Sequence, residues 1–229
     1  MKKAHVFFIA AVGICMLFGG CDEASYVTDI DGNVYKTVTI GDQEWMAENL
    51  KTSSYDNGDP IANVTDDTQW GSQTEGAWCS YENDQVNELM YGKLYNWYAV
   101  VDSRNVCPSG WHVPTDEDWT VLTDFLGGDA VASGKLKATG TLESGTGLWK
   151  DPNTDADNTS GFSGLPGGYR FGSGGFGFIN EMGAWRSSTM PVERPERGAW
   201  SRFLNYNSTT VFRGHADLPL GLSVRCVRD

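Results

Sequence analysis

The chain has 229 residues, with 30 acidic side chains against 17 Lys and Arg and a formal charge of −13. A surface of that sign repels nucleic acid and anionic lipid, and no basic cluster offsets it, so nucleic-acid binding is excluded as its work. Three histidines are too few for a metal centre built on several imidazoles, while 28 Gly, nine Trp, nine Tyr and ten Phe point to aromatic-anchored loops.

The first residues read as a targeting segment. Lys2 and Lys3 start it, an apolar run from Val6 to Phe18 follows, and Gly19-Gly20-Cys21 closes it. That run is shorter than the roughly 20 residues a bilayer-spanning helix needs. One reading is a secretory signal cut near Gly20; the other is a lipoprotein signal cut before Cys21, whose thiol is then lipidated. The second is preferred because the stretch resembles a lipobox, although Phe18 stands where Leu is usual and Leu17 lies one place early. Several acyl chains on Cys21 would anchor the protein stably to a membrane. Asp22-Glu23 resembles the acidic export signal of surface lipoproteins of the Bacteroidetes, which implies the bacterial outer membrane and its outer face. Residues 1–20 are then the signal, 21–25 a lipidated tether and 26–229 a single domain, long enough for a sizeable core. Cleavage removes Lys2 and Lys3 but no acid, so the formal charge moves from −13 to −15.

Within the domain, Asn33 to Ile40 is β-branched and alternating after an Asp-Gly-Asn turn, which predicts a strand. Glu44 to Leu50 reads as a strand passing into a loop, residues 56–74 as polar turns, and Ala77 to Tyr81 as a short strand. Leu94, Trp97, Tyr98 and Val101 recur at helical spacing and are expected on one buried face. In WHVPTDEDW, residues 111–119, a His and three acids crowd together. Thr115 is a good N-cap, Pro114 precedes it, and Asp118 stands where a capping box places its acid. Asp116, Glu117 and Asp118 occupy the first turn, where the helix dipole favours each by about 0.3–1 kcal/mol. Trp119, Leu122 and Leu126 form a core stripe, and Gly127-Gly128 ends the helix. The cluster thus starts a helix, with Trp111 docking the preceding loop and His112 left without a positioned partner. From Gly134 the chain is rich in turns punctuated by Trp149, Phe162, Tyr169, Phe176, Trp185 and Trp200, and alternating Leu222, Val224 and Cys226 predict a last strand.

Few residues offer chemistry. His112 and His215 stand far apart, no GxSxG elbow is present, and no pair of carboxylates is singled out, so no hydrolase triad or glycosidase pair is expected. Asp151, Asn153, Asp155 and Asp157 place oxygens on alternate residues, as calcium loops do. Ala156 and Phe162 stand where an EF-hand needs Gly and Glu, and Asx turns at Asp151 and Asn153 are the structural alternative. Cys79, Cys107 and Cys226 remain once Cys15 and Cys21 are set aside, without a zinc spacing. In an oxidising compartment one pair and one leftover thiol are expected. Cys107 and Cys226, each at the edge of a patterned segment, are the favoured pair, and three buried thiols the alternative. Closing so long a loop would stabilise by about 4–5 kcal/mol in the chain-entropy model. Trp149, Tyr169 and Trp185, set among glycines, are the candidates to stack on a sugar ring.

The motifs DGNVYKTVTIG, WMAENL, YGKLYNWYAV, CPSGWHVPTDEDW, SGFSGLPGGYR and GLSVRCVRD, in that order, resemble the Fibrobacter succinogenes major paralogous domain from about Tyr26 to Asp229. GWHVPTDEDWTVLTDFLGG also resembles a segment of the formylglycine-generating, sulfatase-modifying-factor family. That second likeness implies an α+β, C-type-lectin-like fold: two helices, small mostly antiparallel sheets and long Gly-rich loops. In such folds a cysteine near a helix commonly bridges to the last strand, in agreement with Cys107–Cys226. The catalytic machinery does not carry over, because it needs a cysteine pair late in the chain and only Cys226 stands there. The expectation is a lipid-anchored, non-catalytic surface module binding a polysaccharide or surface polymer through residues 140–214. The rivals are an enzyme on a modifying-factor-like scaffold and a structural envelope protein.

Overall fold

In the computed structural model, which describes residues 25–229, an early strand pairs with the last one. In chain order the strands and helices are β1 (Tyr26–Thr28), β2 (Val34–Ile40), β3 (Gln43–Met46), β4 (Ala62–Asn63), α1 (Asp67–Gly71), β5 (Ala77–Cys79), α2 (Gln85–Tyr91), β6 (Leu94–Tyr95) and α3 (Trp97–Val100). They continue with β7 (Trp111–His112), α4 (Asp116–Phe125), α5 (Asp129–Leu136), β8 (Gly167–Arg170), β9 (Phe176–Ile179), β10 (Met182–Arg186), β11 (Ala199–Asn205), β12 (Phe212–Ala216) and β13 (Val227–Arg228). The largest sheet runs β1-β2-β3-β13-β7, and Val227 faces both Trp45 and His112. Two three-stranded sheets, β10-β11-β12 and β4-β5-β6, and the β8–β9 hairpin complete a mixed α+β architecture of small sheets and five helices. The expected signal segment and Cys21 lie outside the described residues. Among those residues no helix is long and apolar enough to cross a membrane.

The start of α4 follows the local chemistry read above. Thr115 Oγ1 accepts from Asp118 N at 3.1 Å, and an Asp118 carboxylate oxygen accepts from Thr115 N at 2.8 Å. Trp119, Leu122 and Leu126 are buried among Trp45, Trp149, Phe162 and Trp185. The aromatic rings meet at 4.9 Å (Trp45–Trp119), 5.8 Å (Trp119–Phe162) and 5.7 Å (Phe162–Trp185) between centroids. These are the tilted and edge-to-face contacts that aromatic quadrupoles favour. Cys107 and Cys226 form a disulfide that ties the loop before β7 to the chain end, and Cys79 is free and buried.

Three local readings are corrected. Leu94 and Tyr95 are a strand, and α3 is a single turn, because Asn96 between them acts as its N-cap: Oδ1 accepts from Ala77 N and Ala99 N at 3.0 Å each. A residue whose side chain competes for backbone N–H groups ends one element and begins another. Val101 is consequently exposed. Second, Gly127-Gly128 ends α4, but α5 follows at once; Gly134, which reads as a breaker, is there because a Cβ would strike the Asp155 carbonyl. Third, residues 221–227 are buried without alternation and only Val227–Arg228 is strand, because Ser223 and Arg225 also turn inward.

The loops are held by buried cations. Arg186 donates to the carbonyl oxygens of Ala216 (3.1 Å), Asp217 (2.7 Å) and Leu220 (2.6 Å). Arg225 donates to Asn49 Oδ1 and Ser163 O, both at 2.9 Å, and to Phe162 O, with its guanidinium 4.0 Å from the Phe162 ring centroid. Lys137 Nζ meets Thr154 O, Asn205 O and Ser208 O at 2.8, 3.2 and 3.1 Å. Burial pulls Arg186 and Arg225 below the ordinary guanidinium range, and Lys137 to about 8. Oriented carbonyl dipoles replace the lost water.

Two outcomes follow from this bonding. Arg225→Leu, which keeps bulk but strands buried acceptors at Phe162, Ser163 and Asn49, should cost about 3 kcal/mol or more in urea unfolding. In the β1–β2 turn, Asp31 accepts from Ser53 N (2.6 Å), Ser53 Oγ (2.8 Å) and Thr52 Oγ1 (3.0 Å). Partial burial opposes its ionisation, but bonds from Ser53, Ser54 and Thr52 outweigh that and hold its pKa at about 2. The stabilisation is therefore present above about pH 4 and lost as pH falls toward 2. Asp31→Asn should lower stability at pH 7 by about 1 kcal/mol, allowing for solvent screening, and flatten that part of the melting-temperature–pH curve.

Candidate functional site

Trp149 and Trp185 stack on no ligand from where they lie. They are 0% and 1% exposed, and their indole N–H groups donate to Gly164 O (3.0 Å) and Asn49 Oδ1 (2.9 Å). Trp149 folds inward from an irregular segment, and Trp185 points into the same core from strand β10. This corrects two of the three sugar-stacking expectations.

Tyr169, the third, stays at the surface on the β8–β9 hairpin. Its ring stacks on Phe178 at 5.2 Å and 23° and meets Phe171 edge-on at 5.1 Å. Phe171 and Phe178 are 36% and 43% exposed. On the register Tyr169↔Gly177 and Arg170↔Phe176, simple alternation would put Phe178 beside Phe176. Instead Phe178 is left-handed (φ +64°) opposite Gly168 (φ +61°), and its ring joins Tyr169. A bulky residue in that region carries strain of order 1–2 kcal/mol. Gly177 is needed in the same hairpin, because a Cβ there would sit 3.0 Å from the Phe171 ring.

The inner face of the hairpin is bolted down. Arg170 donates to Gly174 O (2.7 Å), Val64 O (2.6 Å), Thr65 O (2.9 Å) and Asp67 Oδ1 (2.8 Å), between the rings of Trp70 and Phe176. Phe176 lies 5.3 Å from Tyr81, which opens the 3-10 turn Tyr81–Asn83. Beyond Tyr81 is a concavity of about 220 Å³ lined by Asn63, Thr65, Trp78, Ser80, Asn83, Gln85 and Glu88. Sequence reasoning missed it, since its walls come from a polar loop, a strand and a helix start that share no motif.

His112 does have positioned partners, contrary to the expectation. Nδ1 lies 2.7 Å from Asp229 Oδ1 and Nε2 3.1 Å from Asp118 Oδ2. Strand β7 pairs with β13, and that pairing delivers the chain end to the ring. The hydroxyl that meets this cluster, Thr115 Oγ1, donates to Asp118 at 2.6 Å and accepts from its N–H, so it is bound as a helix cap and not poised as a nucleophile. The arrangement fastens the C-terminus to α4. His215 stacks on Trp200 at 4.0 Å, and Arg213 lies 3.6 Å over that indole while pairing with Asp116 at 2.7 Å.

The alternating oxygens of residues 151–157 do not gather as a ligand set. Asn153 is buried and its Nδ2 donates to Ala138 O and Gly140 O at 3.0 Å each, while Asp157 Oδ1 accepts from Thr159 N and Oγ1 at 2.9 Å. Among the described residues no three His, Cys, Asp or Glu side chains converge where they could hold a metal. Cys79 has its thiol pushed up to about 12 by burial.

The ordered motifs and this α+β framework define a family, and the chain belongs to it: the model of the Fibrobacter succinogenes major domain matches residues 38–228. No curated protein and no solved structure matches the chain.

Because Asn153 closes its loop from within, Asn153→Ala should lower stability by about 1–3 kcal/mol, equally with millimolar calcium and with chelator. A loss seen only with calcium, and absent in chelator, would support the calcium reading. Thermal melts under both conditions decide between them.

Proposed function

We propose that the chain is a lipid-anchored, surface-exposed, non-catalytic binding module on a C-type-lectin-like scaffold, and that it holds a polysaccharide or surface polymer. The observation that carries this reading is the platform of exposed Phe171 and Phe178 on half-buried Tyr169, with Phe178 turned outward at a cost in backbone strain. Such strain persists where the surroundings impose it, and it concentrates at functional sites. Flat aromatic faces suit the C–H faces of sugar rings, and a tyrosine adds a polar rim. The anchor and outer-surface address rest on Cys21 and Asp22-Glu23.

The enzyme alternative on a modifying-factor-like scaffold is less well supported. Cys226 is bonded to Cys107, and burial keeps the Cys79 thiol protonated. Calcium is not needed for this reading: Asn153 Nδ2 already closes the loop on Ala138 O and Gly140 O, although its buried Oδ1 has no partner within the described residues.

The test is affinity gel electrophoresis of the full-length protein in detergent, through gels containing soluble polysaccharides. Retardation by at least one polymer is expected, weakened about tenfold or more in Phe171→Ala and Phe178→Gly. Glycine suits φ +64°, so Phe178→Gly removes the ring without unfolding the hairpin, and its melting temperature should hold. Undiminished retardation of both variants, or no retardation of the wild type by any polymer, overturns the reading.

A further inference from the structure

The geometry points to the concavity beside Trp78 as a second part of the same binding surface, one that takes a single neutral, polyhydroxylated ring. This rests on the polymer-binding reading and adds to it a subsite and a ligand class. The cavity and the aromatic hairpin form one mechanical unit. Arg170 of the hairpin is bonded to the carbonyls of Val64 and Thr65, and Thr65 lines the cavity. Phe176 packs on Tyr81, whose 3-10 turn delivers Asn83 to the cavity wall. A Cβ at Gly168 would press 2.9 Å from the Tyr81 ring, so the hairpin sits hard against that turn. Glu82 and Asn83 are both left-handed (φ +53° and +54°), two consecutive strained residues that shape the wall.

The lining selects the ligand. Asn63, Asn83 and Gln85 supply carboxamides, which donate and accept at once, as adjacent hydroxyl groups require. Asn83 Nδ2 is spent on Thr65 O at 3.2 Å, and Asn63 Nδ2 makes only a long contact of 3.4 Å with Trp78 O. No other described residue donates to either Asn side-chain oxygen. Gln85 makes no side-chain hydrogen bond within the described protein. The charge is already balanced: Glu88 accepts from Ser80 Oγ at 2.7 Å and lies 3.5 Å from Lys93 Nζ. Lys93 is itself buried, 3.8 Å from the centroid of the Trp78 ring. An ionic ligand would find no unpaired opposite charge here, whereas a neutral polyol would find amides, hydroxyls and an indole. That indole is held in place by its N–H donating to Ile61 O at 3.1 Å. The volume of about 220 Å³ falls below the roughly 300–1,000 Å³ of drug-sized sites, so it suits one ring and not a chain.

Isothermal titration of the full-length protein in detergent separates this inference from the reading beneath it. The probes are tetrasaccharides of glucose, mannose and xylose, with a tetragalacturonate as the acidic control. At least one neutral probe should bind, the acidic one should not, and Asn63→Ala/Gln85→Ala should weaken that binding about tenfold or more. Both positions are exposed, so the melting temperature should stay at the wild-type value. Binding by the double variant equal to wild type, alongside a loss in Phe178→Gly, overturns the subsite and leaves the aromatic reading standing. Binding of the acidic probe alone, or of no probe, also overturns the subsite; retardation in the polymer gels then decides the wider reading by itself. Wild-type binding in both variants removes both.

Discussion

Irregular backbone can enter a protein interior only if its carbonyl groups find donors there, because each unpaired one costs free energy comparable to a lost hydrogen bond. Here buried Arg and Lys side chains supply those donors. Arg186 gathers the turn that follows β12, Arg225 gathers residues 162–163 onto Asn49, and Lys137 gathers three separate carbonyls. A guanidinium suits this role because its five N–H groups are fixed in a plane and its faces can rest on aromatic rings, as Arg225 rests on Phe162. The alternative, longer strands and helices that satisfy their own backbone, is not what this glycine-rich sequence encodes. Loops pinned this way can be as well ordered as regular elements, and that allows a surface made of loops to hold a shape.

Arg170 extends the same device to the surface hairpin. Its donors reach Val64, Thr65 and Gly174 while its plane lies between Trp70 and Phe176, so the inner face of β8–β9 is fixed from five sides. The outer face is then free to carry rings with little packing of their own. Phe178 keeps a left-handed backbone because the turn beneath it is over-determined by Gly168 opposite and by the stacking of its ring on Tyr169. The strain is local and the bonding that sustains it lies on the other side of the hairpin.

What could be read from the sequence was what is encoded locally. The α4 start needs only Thr115, Asp118 and the spacing of Trp119, Leu122 and Leu126, all within one short window, and the structure has it. The family was legible because six motifs keep their order along the chain. Asn96 defeated a helical pattern because, besides capping Ala99, its side chain accepts from Ala77 N on another strand, a partner that the local sequence does not show. His112 looked unpartnered because Asp229 reaches it only through the β7–β13 pairing. Trp149 and Trp185 looked like surface residues because glycine-rich neighbours mark a loop; that segment turns inward at Trp149, and Trp185 is on strand β10 with its ring in the core. Of the candidate surface, Tyr169 was visible in advance. Phe171 and Phe178 were not, since the reversal of Phe178 depends on a dihedral angle and not on its neighbours' identities.

The overall charge limits what such a surface can hold. At −13, with the excess of carboxylates spread over the sequence, the protein raises the cost of bringing any polyanion within a Debye length of about 8 Å at physiological salt. Some of the cations that might have countered this are withdrawn: Arg170, Arg186, Arg202, Arg225 and Lys137 are all buried, bonded mainly to backbone or, for Arg202, paired with Asp116, while Arg104, Lys150, Arg213 and Arg228 stay at the surface, each paired with a carboxylate. The same residues that hold the loops in shape are therefore removed from recognition, and the hairpin and the concavity beside Trp78 offer chiefly aromatic rings, amides and hydroxyls. A surface so composed discriminates by shape and hydrogen-bond pattern, which is the discrimination a neutral, stereochemically dense polymer demands.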